Sequence, residues 1–164
     1  MFRNREPLSL RAIVCSFSYT SRWKDTDLTN ITGESAYRLV IGFCASGSGG
    51  KIPAINLFVN SQTDDHIHYL SLPSLNGAWT DADVTNLSSS PVDVVDGAVA
   101  FGTPSNGEIF LYTPGATSLP SVDQFYFNRQ DWIYQQVPPS AYYPYSLTGF
   151  AVDRSQYVFY VAGS

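Results

Sequence analysis

Residues 79–87 read WTDADVTNL, and residues 23–31 read WKDTDLTNI. Both spell Trp-x-Asp-x-Asp-aliphatic-Thr-Asn-aliphatic, and the step from Trp23 to Trp79 is 56 residues. A third tryptophan, Trp132, follows 53 residues later at the head of WIYQQVP. A second marker runs beside the first: Gly42-Phe43-Cys44-Ala45, Gly97-Ala98-Val99-Ala100 and Gly149-Phe150-Ala151-Val152, with glycines 55 and 52 apart. Two unrelated markers with one period, near 54, indicate a repeated structural unit.

The segments between the markers read as strands. INLFVNS (55–61), EIFLYT (108–113) and QYVFYVA (156–162) form one set, and RAIVCSF (11–17), HIHYLSL (66–72) and VDQFYF (122–127) form another. Each alternates or is apolar throughout, rich in β-branched and aromatic residues, and is bounded by Gly, Pro, Ser and Asn. No stretch has helical periodicity. One unit is therefore a Gly-led strand, a hydrophobic strand, a further strand and the Trp strand. Four short antiparallel strands per unit predict an all-β chain, a β-propeller of about three four-stranded blades. A β-sandwich is the alternative. Residues 1–164 form a single domain, with repeats at 42–96 and 97–148 and partial ones at 10–41 and 149–164. Two whole units and two halves make three blades, fewer than a closed propeller uses, so the chain reads as a partial propeller or as a protomer of an oligomeric one.

Composition narrows the function. Charged residues are 14% of the chain, against about 25% in ordinary globular proteins, while aromatics reach 15%. Polar contacts must then come mainly from neutral Ser, Thr, Asn, Gln and Tyr side chains. A net charge of −5 lacks the basic stripe that nucleic acid requires. Cys15 and Cys44 sit in apolar strands and read as small buried hydrophobes rather than a bridge. No apolar run is long enough for a membrane helix, and Glu6, Pro7 and Arg11 interrupt any signal-peptide core, which leaves the cellular location open. The sequons at Asn30 and Asn86 fall inside the repeated motif, which explains their position.

The chemistry-bearing residues are concentrated in the motif. Strand alternation places Trp79, Asp81 and Asp83 on one face, opposite Thr80, Ala82 and Val84, and likewise Trp23, Asp25 and Asp27 in the earlier copy. An indole beside two carboxylates suits a sugar: the ring covers C–H groups and the oxygens accept hydroxyl protons. The alternative is that tryptophan packs between blades and the aspartates cap turns. The third copy replaces the acids with Tyr134 and Gln136. His66 and His68 share a strand face, but a metal needs a third and fourth ligand. Matching places in the other units, taken as Leu10 and Ala12 and as Val122 and Gln124, offer none, so no metal or other cofactor is expected.

The stretch INLFVNSQTDDHIHYLSL, followed by WTDADVT and GAVAF, resembles the repeat of the fucose-binding β-propeller lectins of bacteria and fungi, the PLL-type group. The resemblance spans residues 10 to 162 and is closest in the middle unit. It departs at Tyr69, where that pattern has an acidic residue. It implies a six- or seven-bladed lectin with sugar pockets between blades, lined by Trp, His and polar side chains. The ligand-binding candidates are Trp23, Asp25, Asp27, His66, His68, Trp79, Asp81 and Asp83. The expected function is non-covalent recognition of fucosylated or related glycans, with homo-oligomerisation completing the propeller. A glycoside hydrolase or sialidase-like enzyme drawing on Asp81, Asp83 and Glu108 is the alternative, although the Ser-x-Asp-x-Gly-x-x-Trp box is absent. A scaffold without ligand is the other.

Overall fold

The structure, a computed structural model, describes residues 11–15, 23–29, 37–44, 55–74, 77–91, 97–103, 107–115, 121–137, 143–152 and 155–163. Its strands are β1 (Arg11–Cys15), β2 (Trp23–Asp27), β3 (Tyr37–Cys44), β4 (Ile55–Ser61), β5 (Ile67–Leu72), β6 (Thr80–Asp83), β7 (Val99–Thr103), β8 (Glu108–Pro114), β9 (Val122–Phe127), β10 (Trp132–Val137), β11 (Tyr143–Val152) and β12 (Ser155–Gly163). They build two four-stranded antiparallel sheets, β3-β4-β5-β6 and β7-β8-β9-β10, and two two-stranded ones, β1-β2 and β11-β12. The strands dominate the chain, and its two complete sheets are four-stranded and antiparallel, as the sequence predicts for an all-β protein.

Period-2 alternation gives each four-stranded sheet apolar side chains on both faces, and each face holds a buried cluster of them. Phe58 and Tyr69, cross-strand partners on one face of β3–β6, pack with Ile109, Leu111, Phe125 and Trp132 of β7–β10. Trp132 sits among Phe58, Tyr69 and Phe127, with ring centroids 5.3–5.9 Å apart. The opposite face of β7–β10 carries Phe101, Phe110 and Tyr112, which pack with Leu147 of β11 and Val158 of β12. On the far face of β3–β6, Val59 and Leu70 enclose Leu28, which follows β2 and is fully buried. Burying a leucine-sized side chain in this way contributes about 1.5–3 kcal/mol.

Three expectations are corrected. The strand of the Trp motif ends at Asp83, and Val84–Ser88 form a helix, α1, so Val84 does not alternate with Ala82. Five residues are too few to show a 3.6-residue period in a sequence. The glycine marker does not occupy one structural position. Gly42 and Gly149 lie inside strands, whereas Gly97 precedes β7 with a left-handed φ of 69°. The matching places for His68 are also shifted by one residue. Asp83 faces His68, Asp27 faces Arg11 and Gln136 faces Asp123, so the equivalents are Arg11 and Asp123, not Ala12 and Gln124. Cys15 and Cys44 belong to different sheets, β1 and β3, and their side chains lie outside the described residues.

Candidate functional site

Each residue of the motif has a separate task at the β6–α1 junction. Asp83, in extended backbone, caps α1 by accepting from the Asn86 N–H at 2.9 Å. Val84 enters the core between the two four-stranded sheets. The buried Thr85 hydroxyl accepts from the Ile67 N–H at 2.9 Å and ties the helix to the start of β5. Ser88 Oγ donates to the Val84 carbonyl at 2.6 Å. Leu28 and Thr29 are helical after β2 in the same way, so the repeated stretch is a strand-to-helix corner.

That corner brings four of the candidates together. The carboxylate of Asp83 lies 2.8 Å from His66 Nδ1, and that of Asp81 lies 2.9 Å from His68 Nδ1. A fifth side chain, Asp64, joins them: its Oδ2 is 3.4 Å from His68 Nε2 and 3.6 Å from His66 Nδ1. Its Oδ1 accepts from the His66 N–H at 3.0 Å across a turn in which Asp65 takes a left-handed φ of 61°. Burial alone would lower the His68 imidazole, but Asp81 and then Asp64 outweigh it and raise the ring to about 9. Asp64 is held below the usual carboxylate range: slight burial opposes this, and the His66 N–H with Ser61 and His68 prevails. Sequence reasoning passed over Asp64, although it stands two residues before His66, where a tight turn can fold it back.

The other candidates separate from this cluster. Trp79 is half-buried and packs against the Leu28, Val59 and Leu70 group, the packing alternative. Asp27 closes β2 opposite Arg11. Trp23 and Asp25 lie on β2 beside Cys15 and Ile13, and their side chains fall outside the described residues.

A cleft of about 470 Å³ opens between the two four-stranded sheets, under the end of α1. Its apolar floor is Tyr69, Ile109, Phe127 and Trp132; Thr80, Asp81, Gln130 and Asp131 supply polar groups, and Leu87, 60% exposed, stands over it. Burial raises the Tyr69 phenol, whose hydroxyl donates to Asn56 Oδ1 at 2.5 Å. Asp81 alone borders both the cleft and the His–Asp cluster. The remaining lining residues were not among the ligand candidates, because the cleft is assembled from strands far apart in sequence. Further along the same inter-sheet face, Asp123 is fully buried and accepts from the Tyr134 hydroxyl at 3.0 Å, with Gln136 Nε2 at 3.5 Å. This is the neutral-donor version of the His–Asp arrangement.

No protein family, curated protein or solved structure matches the chain. Among the described residues, no helix is long and apolar enough to cross a membrane.

Proposed function

We propose that the chain is a carbohydrate-binding protein, a lectin that holds a sugar non-covalently between adjacent sheets of a propeller-type arrangement. The observation that carries this reading is the inter-sheet cleft. Aromatic rings line its floor, while two carboxylates, the Ser71 and Thr80 hydroxyls and an amide border it. Sugars need that combination, an apolar surface for C–H groups and directional acceptors for hydroxyls. The propeller reading is supported by buried apolar clusters on both faces of each four-stranded sheet, since each sheet of a two-layer sandwich turns one face to solvent. Fucosylated glycans are the first ligands to test, and two copies completing a ring is the proposed assembly.

The test is a glycan array followed by titration of the best ligand. Asp131→Asn, on the exposed turn before Trp132, is expected to weaken binding about tenfold or more with an unchanged melting temperature, the loss of a charge-assisted hydrogen bond. Turnover of an aryl glycoside would replace the lectin with a hydrolase. Silence on the array and with aryl glycosides would favour a scaffold.

A further inference from the structure

We propose that Asp64, His68 and Asp83 form a binding site for a divalent transition ion of the zinc type. The three ligands lie outside the cleft lining, and Asp81, which orients His68, is the one residue that the two sites share. The sequence offered two histidines without a third or fourth ligand, and the fold supplies the missing donors. One ligand atom each from Asp64, His68 and Asp83 lies within 4.8 Å of the other two. Donors bound at about 2.0–2.1 Å around a tetrahedral ion stand about 3.3 Å apart. The 3.4 Å between His68 Nε2 and Asp64 Oδ2 already matches that edge. His66 Nδ1, 2.8 Å from Asp83 and 3.6 Å from Asp64, sits beside both carboxylates as a further nitrogen donor.

The surroundings orient each donor as metal sites require. Asp81 accepts from His68 Nδ1, which leaves Nε2 facing Asp64 as the nitrogen that gives up its proton when the ion binds; this is the carboxylate–histidine relay that orients ligand histidines. Asp64 Oδ1 is engaged by the His66 N–H and Asp83 Oδ1 by the Asn86 N–H, so in each case the second oxygen, Oδ2, is turned to the histidines. The His68 side chain is 7% exposed while Asp64 is 35% exposed, which gives a sheltered nitrogen and an open path for the ion. Mixed imidazole and carboxylate donors favour zinc-like ions over calcium or magnesium. Bound there, the ion would fasten the β4–β5 turn to the β6–α1 corner.

The experiment is calorimetric titration of zinc chloride into tag-free, chelator-treated protein, with cobalt(II) absorption as a second readout. The chain has only two histidines, both at this corner. The expected result is one ion per chain, a raised melting temperature, and a weak d–d cobalt spectrum without thiolate charge transfer. Asp64→Asn, in the exposed turn, should weaken binding at least tenfold while keeping the far-ultraviolet spectrum. Asp81→Asn should weaken it by about 10–100-fold, and calcium should not compete. The absence of zinc binding at millimolar concentration, binding unchanged in Asp64→Asn and His68→Ala, or a thiolate cobalt band would overturn the proposal. The cluster would then be an ion-pair network only.

Discussion

Asp123 has no exposed surface, and a carboxylate in that position is tolerated only because donors converge on it. Tyr134 is the nearest of those identified, and the contact acts on it in turn: burial first, then the Asp123 charge, raise its phenol to about 12. Tyr134→Phe should therefore destabilise the fold by about 1–3 kcal/mol, seen as a lower urea midpoint at constant m-value. The pH effect has a definite sign. Between the ordinary phenol value of 10 and 12, the unfolded chain has lost this proton while the folded chain keeps it. Stability is thus intact below about pH 10 and falls as pH climbs through 12. Tyr134→Phe should flatten that alkaline slope, and an unaltered slope would remove Tyr134 from this role. The substitution of acids by Tyr134 and Gln136 was visible in the sequence; their partner Asp123 was not. Cross-strand register depends on the connecting turn, residues 128–131 here against 73–79 in the preceding unit, and a one-residue slip sends a side chain to the other face.

At the level of elements, the strand-to-helix corner explains why the motif recurs. Leu28 buries itself against Val59 and Leu70, and Val84 enters the next inter-sheet core, so the aliphatic residue after the second aspartate links each unit to the following sheet. Leu28→Ala should cost about 2–5 kcal/mol, whereas Asn86→Ala, an exposed position whose backbone makes the capping bond, should cost little. Equal losses in chemical denaturation would contradict this linking role of Leu28. Gly149 tests the strand pairing itself. A Cβ there would collide with the Tyr157 carbonyl, which is backbone and has little freedom to yield. At Gly42 the nearest atom, at 2.6 Å, is the end of the Leu57 side chain. Gly149→Ala is therefore expected to lower the melting temperature more than Gly42→Ala. The strands were legible because alternation reports directly on a two-faced sheet; β4 and β9 begin and end where the sequence places them. The corner helix was not, because its start is set by an aspartate that also suits a strand end.

For the molecule as a whole, the decisive feature is the outer face of β11–β12. Phe150 pairs with Tyr157 and Thr148 with Phe159, and the rings of Phe150, Tyr157 and Phe159 cluster with centroids 5.3–6.0 Å apart. Phe159 is 52% exposed and Val161 66%, beside Phe150 and Val152 on the same face. The comparable faces of β3–β6 and β7–β10 are each buried under the following sheet. Among the described residues, β11–β12 and β1–β2 each supply two strands where the internal sheets have four, and β12 and β1 each have a single hydrogen-bonded neighbour in their sheets. In the proposed assembly a second copy would meet both deficits at once. Pairing β12 of one chain with β1 of the other would complete a four-stranded sheet, and repeating the contact by two-fold symmetry would close a ring. Light scattering on the purified chain is expected to give a discrete dimer at micromolar concentration. Introducing charge on the exposed face, Phe159→Asp with Val161→Lys, should shift the chain toward monomer or aggregate and leave the β3–β10 sheets folded by hydrogen exchange. A stable wild-type monomer would remove the ring, and association without fixed stoichiometry would mean that these edges are met by more of a longer chain.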